Sequence, residues 1–293
     1  MESENLSVIT ARNFPDLSGN LVEGEIRPEQ PCVGSNCMQY LTLEKKGAAA
    51  WIWMNRPPSN DINPEFMDEI IQIHRDLAAD QTVRIVALAS RNEKFFCNGL
   101  DPSYMLSLSI EGRAGVFRKL MTMMRDMYAF PKPEIAVING HAMAGGAVLG
   151  VLCDFRLMSA NKGRYCFSEI HVGLTIPRSL MNIIESIVGP SHLYDVTFNG
   201  KAYRAEEAAQ IRLVDQAIPP ESLYQSADKF IEKLLEQNQD SMVSIKKNIR
   251  SKVLETLSEK DFEKDAGLEN FLGGSLVEGL TAVIEKRKPR FNV

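Results

Sequence analysis

Residues 139–150, NGHAMAGGAVLG, constrain the fold more than any other stretch of the chain. They follow an apolar stretch at 134–138 that is typical of a buried strand, and they lead into a helix-forming segment over about 147–153. Gly145 and Gly146 lie at the change from strand to helix, where a ligand can approach the backbone closely. A helix N-terminus presents unpaired N–H groups and partial positive charge, so this turn suits an anion without any charged side chain.

The glycine turn by itself leaves two interpretations open. It is either an oxyanion-binding device of the kind that acyl and enolate chemistry needs, or a pair of small residues that lets a helix pack on a strand. The phosphate-loop and dinucleotide-binding glycine patterns are both absent from the chain. Other motifs have to decide between the two interpretations.

Two further segments lie on either side of the glycine turn. Residues 94–101 read KFFCNGLD and follow an apolar strand at 83–89, and residues 168–174 read SEIHVGL after RYCF at 164–167. In this order and spacing the three motifs resemble the crotonase superfamily of enoyl-CoA hydratases and isomerases. With the Asn55-Arg56-Pro57 turn and the basic C-terminal segment, the resemblance covers about four-fifths of the chain.

The resemblance implies that two backbone N–H groups, those of Leu100 and Gly145, hold the thioester oxygen of an acyl-CoA. Polarising that oxygen makes the acyl α-carbon more acidic and stabilises an enolate. Neighbouring residues are then expected to contact the substrate, and basic side chains to hold the phosphates of coenzyme A. The substrate-binding candidates on this basis are Arg56, Asn98, Gly99, His141, Gly146, Val148, Lys286 and Lys288. The alternatives are a structural role for His141 and ordinary surface charge for the basic residues.

Glu169 is the candidate proton-transfer group. Hydratases of the superfamily use two glutamates, and the matching positions here are Val148 and Glu169. Because valine cannot transfer a proton, the resemblance implies a Δ3,Δ2-enoyl-CoA isomerase, in which one glutamate takes a proton from C2 and returns it at C4. A dienoyl-CoA isomerase would need acidic residues at Val148 and Pro177. Three alternatives remain. The first is a hydratase, which belongs to the lyase class of enzymes. The second is a decarboxylase or tailoring enzyme that acts on an acyl thioester, and the third is a catalytically silent CoA-binding scaffold.

The residues around Glu169 favour a proton-transfer role independently of the family resemblance. It stands among apolar and aromatic residues between 165 and 174, and burial there would raise the pKa of its carboxyl. The competing interpretation is a glutamate at the solvent end of a strand. If that strand continues, His171 lies on the same face two residues later. Asp101, directly before Pro102, has the residue type that caps or turns a loop.

Composition limits the class of protein. The net charge of −5 argues against general binding of polyanions. Five scattered cysteines predict free thiols in a reducing compartment, and we expect a cytoplasmic protein; Cys97, beside the oxyanion candidate, is expected to serve packing. No metal-ligand spacing is present, so the only cofactor expected is the coenzyme A of the substrate. No apolar run approaches the roughly 20 residues of a membrane span.

The order of elements predicts an α/β protein. Residues 1–37 are acidic, interspersed with glycine and proline, and predict a flexible extension rather than a signal peptide or a basic presequence. Residues 39–43 and 49–54 predict a hairpin, and Asn63 is expected to cap a helix before the strand at 83–89.

The resemblance then implies a ββα spiral core over residues 38–219 and a C-terminal helical region over 220–293, assembled as a homotrimer or a hexamer of two trimers. The further segments predicted from periodicity are helices near 113–129, 179–188, 191–198, 204–211, 220–237, 240–257, 260–271 and 275–287, and a strand at 134–138.

Overall fold

The computed structural model describes residues 38–258, 262 and 264–291. The predicted N-terminal extension, residues 1–37, lies outside the described residues. The described chain begins with the predicted hairpin, formed by β1 (Leu41–Lys46) and β2 (Ala49–Met54) in antiparallel register, with Leu41 opposite Met54.

Seven further strands follow among the described residues: β3 (Ile85–Ser90), β4 (Phe95–Cys97), β5 (Glu134–Ile138), β6 (His141–Met143), β7 (Phe155–Ser159), β8 (Tyr165–Cys166) and β9 (Gln216–Ile218). They form two sheets. The larger sheet has six strands in the order β1-β2-β3-β5-β7-β9, and every pair beyond the hairpin is parallel. The smaller sheet has the parallel order β4-β6-β8.

The α-helices are α1 (Pro64–Ala79), α2 (Pro102–Ser107), α3 (Ile110–Tyr128), α4 (Gly145–Leu152), α5 (Arg178–Val188), α6 (Pro190–Leu193), α7 (Ala205–Gln210), α8 (Leu223–Leu235), α9 (Gln239–Leu254), α10 (Ala266–Leu272) and α11 (Gly274–Ile284). Glu169–Val172 and Pro220–Ser222 are 3-10 turns, and Tyr194–Phe198 is a π-helical turn. No helix in the described part of the chain is long and apolar enough to cross a membrane.

One repeating unit, used three times, forms the smaller sheet and half of the larger sheet. Strand β3 passes directly into β4 and then α2 and α3, β5 passes into β6 and α4, and β7 passes into β8, a 3-10 turn and α5. Each unit therefore adds one strand to each sheet before its helix returns the chain. This arrangement confirms the α/β class and the ββα pattern, and α8 to α11 provide the expected C-terminal helices.

The central strands β2, β3 and β5 of the larger sheet are buried on both faces, as parallel strands usually are, whereas the edge strand β1 is mostly exposed. All six residues of β2 are buried because they alternate between two cores. Ile52 and Met54 face the core shared with α1, α3 and α4, whereas Trp51 and Trp53 face the core closed by Leu223 and the rest of α8. This packing fixes the sheet as a platform for the smaller sheet and the turns that leave it.

Local sequence signals account for several boundaries. The Asn63 side chain accepts a hydrogen bond from the Phe66 N–H at 2.9 Å, with Pro64 at the first helical position, which confirms the predicted cap of α1. The Asp101 carboxylate caps α2 in the same way, through the Tyr104 N–H at 3.1 Å. The helix predicted over 191–198 is divided, since α6 ends at Leu193 and continues as the π-helical turn.

The expectation that a strand continues through His171 is wrong. Residues Glu169–Val172 form a 3-10 turn that ends at Gly173, whose φ is 70°. The turn carries the His171 ring to the Gly200 carbonyl oxygen, 3.1 Å from Nε2. His171 therefore contacts the Gly200 backbone and does not share a strand face with Glu169.

Candidate active site

A cavity of about 230 Å³ lies where the three sequence motifs meet. Leu100 comes from the loop after β4, Gly145 and Val148 come from α4, and Glu169 opens the 3-10 turn after β8. The smaller sheet thus places all three motifs at the ends of its parallel strands. The far wall is apolar and comes from α3, α10 and α11, including Phe117, Phe271 and Leu280.

The direction of the Leu100 N–H is set by a hydrogen bond to the Gly99 carbonyl oxygen, which belongs to the same peptide unit. The Gly99 carbonyl oxygen accepts the Ile62 N–H at 2.7 Å. In a planar trans peptide the C=O and the N–H point in opposite directions, so the Leu100 N–H points away from Ile62. It has no acceptor within the part of the chain that the structure describes, and Leu100 itself lines the cavity.

The Gly145 N–H is oriented by the same principle. The Ala144 carbonyl oxygen accepts the Val148 N–H at 2.9 Å as the first hydrogen bond of α4, so the N–H of the Ala144–Gly145 peptide points outward from the helix start. Ala144 has φ 45° and ψ −116°, an unfavourable conformation for a residue with a Cβ. The Ala144 N–H holds that conformation by donating to the Cys166 carbonyl at 2.8 Å.

The two donor turns are in contact. A Cβ on Gly99, whose φ is +92°, would lie 3.1 Å from the Gly145 nitrogen, and a Cβ on Gly145 would lie 3.2 Å from Gly99 Cα. Glycine is therefore required at 99 by backbone angle and favoured at 145 by close approach. The two turns thus bring the Leu100 and Gly145 peptides close together, and both residues line the cavity. Paired backbone N–H groups of this kind suit an oxygen that carries negative charge.

Glu169 is buried, with 8% of its surface exposed, and it lines the same cavity. Its Oε2 has no hydrogen-bond partner among the described residues. Burial raises the pKa of the carboxyl to about 7, an effect that the residue's own backbone N–H partly offsets. A carboxyl with this pKa both accepts and releases a proton near neutral pH.

No second ionisable side chain lines the cavity in the described part of the chain. Val148 and Pro177, the positions where hydratases or dienoyl isomerases of the superfamily would carry acids, both line it and are both apolar. The other polar side chains of the lining are Asn98, Ser168 and Thr175. Any proton transfer by a side chain in this cavity therefore falls to Glu169.

Several substrate-binding candidates lie outside the cavity lining. Gly146 packs against β4, where an added Cβ would overlap the Cys97 carbonyl. His141 packs its ring against Phe95 at 5.4 Å, and burial, then Lys94 and Arg164, lower its pKa.

The basic candidates are also outside the lining. Arg56 pairs with Asp101 at 3.0 Å. Lys286 and Lys288 are exposed on the turn after α11, beginning three residues beyond the cavity residue Val283. Arg287, between them, is held by Glu278 and Glu285 at 2.5 Å each.

The described cysteines do not line the cavity. Cys97, Cys153 and Cys166 are buried free thiols, and burial raises the pKa of Cys97 to about 12; Cys32 and Cys37 lie outside the described residues. The described residues contain no cluster of three or more His, Cys, Asp or Glu side chains arranged to hold a metal ion.

Sequence reasoning missed two groups of residues. The apolar wall, with Met105, Met124 and Phe271, comes from helices far apart in the chain, and an apolar helical stripe does not reveal which cavity it faces. Ile62 was missed because its contribution is a backbone N–H, which leaves no trace in residue type.

Comparison with known proteins identifies the family of this chain. The enoyl-CoA hydratase/isomerase family matches residues 44–293. The chain belongs to that family. Among curated members, the short-chain-enoyl-CoA hydratase of Clostridium acetobutylicum is 30% identical over 256 residues, 86% of this chain and 97% of that protein. The mitochondrial enoyl-CoA delta isomerase 1 of Homo sapiens is 26% identical over 238 residues, 79% of this chain and 78% of that protein.

The family fold is also evident among solved structures. The crystal structure of human mitochondrial delta3-delta2-enoyl-CoA isomerase superposes with a TM-score of 0.78 at 24% identity, covering 85% of this chain and 98% of that one. The chain is thus similar to family members with two different activities. Its membership implies an acyl-CoA enzyme, and the choice of reaction depends on the side chains in its own cavity.

Proposed function

We propose that this protein is an enoyl-CoA isomerase that shifts a double bond from position 3 to position 2 of an acyl thioester, with Glu169 as its single proton carrier. The observation that carries the proposal is the composition of the cavity wall. Among the described residues that line it, Glu169 is the one with an ionisable side chain. A reaction that removes and returns one proton needs only one such group.

In the first step the ionised Glu169 carboxylate removes a proton from C2. The C2–H electron pair moves into the C1–C2 bond, and negative charge develops on the thioester oxygen of a dienolate. The Leu100 and Gly145 N–H groups stabilise that oxygen, a contribution worth about 2.7–4 kcal/mol per donor where such holes have been tested. The proton now resides on Glu169.

In the second step the neutral Glu169 carboxyl donates the same proton to C4. The C3–C4 double bond supplies the electron pair, the C2–C3 double bond forms, and the carbonyl is restored at C1. A pKa of about 7 suits both steps because neither protonation state of Glu169 is strongly favoured near neutral pH. The apolar wall keeps water away from the dienolate.

Hydration is the alternative reaction within the family. It requires a water molecule to be held and deprotonated while C2 receives a proton, work that two carboxylates divide more easily than one. Val148 offers that water no hydrogen bond. For binding the coenzyme, we assign Lys286 and Lys288 to its phosphates, supported by their exposure and their closeness in sequence to the cavity residue Val283.

The test is Glu169→Gln, which preserves the size of the side chain and removes its basic oxygen. We expect kcat for conversion of 3-enoyl-CoA to 2-enoyl-CoA to fall at least about 10²-fold, with KM little changed. Glu185→Gln on α5, an exposed carboxylate outside the cavity, is the matched control and should keep wild-type turnover. Near wild-type turnover by purified, folded Glu169→Gln would remove Glu169 from the mechanism.

A further inference from the structure

Arg56 lies in the loop that follows β2. Its guanidinium contacts the loop of residues 98–101, called the oxyanion loop, and does not line the cavity. Nη1 donates to the Asp61 carbonyl oxygen at 2.9 Å, and Nη2 pairs with Asp101 Oδ2 at 3.0 Å. The guanidinium also lies over the Tyr40 ring, 5.3 Å from its centroid. The side chain is only 16% exposed, and both of its terminal nitrogens donate to protein acceptors.

The Asp61 contact reaches the oxyanion donor through two peptide units. The Asp61 C=O and the Ile62 N–H belong to one peptide, and that N–H donates to the Gly99 carbonyl at 2.7 Å. The Gly99 C=O and the Leu100 N–H belong to the second peptide unit of this path. A continuous chain of hydrogen bonds therefore runs from the Arg56 cation to the Leu100 N–H, each bond polarising the one after it.

The contact between Arg56 and Asp101 holds the backbone directly after the Leu100 donor. The Asp101 N–H donates to the Ile62 carbonyl at 3.0 Å, while Oδ1 caps α2 and Oδ2 binds Arg56. Leu100 is thus held between two backbone hydrogen bonds to Ile62, and the fork of Arg56 bridges the segments that provide them. A guanidinium can make both contacts at once, which an ammonium cannot do with the same geometry.

We propose that Arg56 is a positioning residue for the Leu100 oxyanion donor. It orients and polarises that N–H through the Asp61–Ile62 and Gly99–Leu100 peptides, and it does not bind the phosphates of the coenzyme. The inference rests on the proposed function in one respect, the use of the Leu100 N–H to stabilise an enolate oxygen.

The kinetic test compares two thioesters of one enoyl chain, the CoA thioester and the pantetheine thioester that lacks the nucleotide phosphates. Arg56→Met is expected to lower kcat about 10- to 100-fold with both thioesters and to leave KM within about twofold, since the loss falls on the transition state. Arg56→Lys should recover part of kcat. A loss confined to the CoA thioester, or a rise in KM alone, would show a phosphate contact and overturn the proposal.

Arg91→Met is the matched control. Arg91 also pairs with a carboxylate, Glu44 at 3.5 Å, and lies over an aromatic ring, Trp53 at 3.8 Å, but has no contact with the oxyanion loop. Its removal should leave kcat unchanged with both thioesters. An equal fall in kcat for Arg91→Met would overturn the proposal, because the loss would then not depend on contact with the oxyanion loop.

A second measurement does not depend on the reaction. In protein labelled with ¹⁵N-leucine, the Leu100 amide resonance should shift in Arg56→Met, shift less in Arg56→Lys, and stay unchanged in Arg91→Met. An unmoved Leu100 resonance in folded Arg56→Met would overturn the relay. If the wild type hydrates 2-enoyl thioesters instead of isomerising, the proposed function fails, yet both comparisons can still be made with the hydration substrate.

Discussion

At the residue level, Glu169 carries a conflict between stability and chemistry. Its carboxyl is buried beside apolar side chains with one oxygen unpartnered among the described residues. Burying an ionised carboxylate without a partner is unfavourable, and the protein responds by raising the pKa of this group to about 7. The same burial that destabilises the charged form gives the residue a pKa suited to carrying a proton both ways.

Activity is therefore expected to depend on the ionisation of Glu169. The carboxylate form must be present for the first proton removal, so kcat/KM should rise with pH through about 7 and then level off. The measurement is the pH profile of kcat/KM for a 3-enoyl thioester between pH 5.5 and 9. A profile that stays flat between about pH 6 and 8 would show that this carboxyl is not the base.

The stability of the folded protein should show the opposite trend. The folded pKa of about 7 lies above the usual 4.5, so the folded state binds more protons than the unfolded state between these values. Glu169 then lowers the free energy of unfolding as pH rises through that window, by roughly 3 kcal/mol once it is complete.

Removing the charge should remove that penalty. The free energy of unfolding of Glu169→Gln minus that of the wild type should therefore be about 2–3 kcal/mol larger at pH 8 than at pH 4.5. Urea unfolding of both proteins at the two pH values measures this change. Glu185→Gln, on the surface, should gain none. A Glu169→Gln difference that does not change with pH would mean that the carboxyl is not buried in a protonated form.

At the level of secondary-structure elements, the long elements could be predicted and the short ones could not. The predicted strand 134–138 coincides with β5, a short apolar run after Glu134. The helices predicted over 113–129 and 179–188 lie within three residues of α3 and α5, because several turns of apolar periodicity mark them. The strands β4, β6 and β8 have two or three residues each, too few to establish a period. The donors and Glu169 follow these short strands, so only the motifs located the site.

The two glycines at the start of α4 should respond differently to substitution. A Cβ at Gly145 would meet the movable end of Ile62, Cδ1 at 3.0 Å, whereas a Cβ at Gly146 would overlap the Cys97 backbone. Gly145→Val should abolish turnover and leave the protein folded, since the added branches crowd the donor peptide. Gly146→Ala should destabilise the fold by about 1–3 kcal/mol by separating α4 from β4.

Thermal unfolding and turnover, measured on both variants, test whether Gly145 serves the reaction and Gly146 serves packing. Folded Gly145→Val with most of its activity would show that the turn serves packing and that the oxyanion assignment is wrong. Gly146→Ala with wild-type stability would contradict the contact between α4 and β4.

At the level of the whole molecule, the cavity depends on segments that are distant in the chain. The core provides the donors and Glu169, while Phe271, Leu276 and Leu280 of the C-terminal helices close the apolar side. The resemblance could assign the donors residue by residue, but the wall required the tertiary packing. The trimer or hexamer stays a prediction. Tyr194 and Phe198 are large hydrophobic side chains on the surface, 74% and 68% exposed.

Val148 gives the sharpest contrast between the two family reactions. Val148→Glu would place a second carboxylate in the cavity, so we expect a higher ratio of hydration to isomerisation even if total activity and stability fall. Val148→Leu is the matched control and should not raise the ratio. A ratio in Val148→Glu no higher than in the wild type would show that Val148 does not determine the reaction.

The central claim is tested most directly by the two rates of the wild-type enzyme on one acyl chain. One is the rate of 2-enoyl-CoA formation from 3-enoyl-CoA, and the other is the rate of 3-hydroxyacyl-CoA formation from 2-enoyl-CoA, both resolved by chromatography. With Glu169 as the one ionisable side chain lining the cavity in the described structure, isomerisation should be much the faster. Hydration that equals or exceeds isomerisation would contradict the assignment and establish this family member as a hydratase.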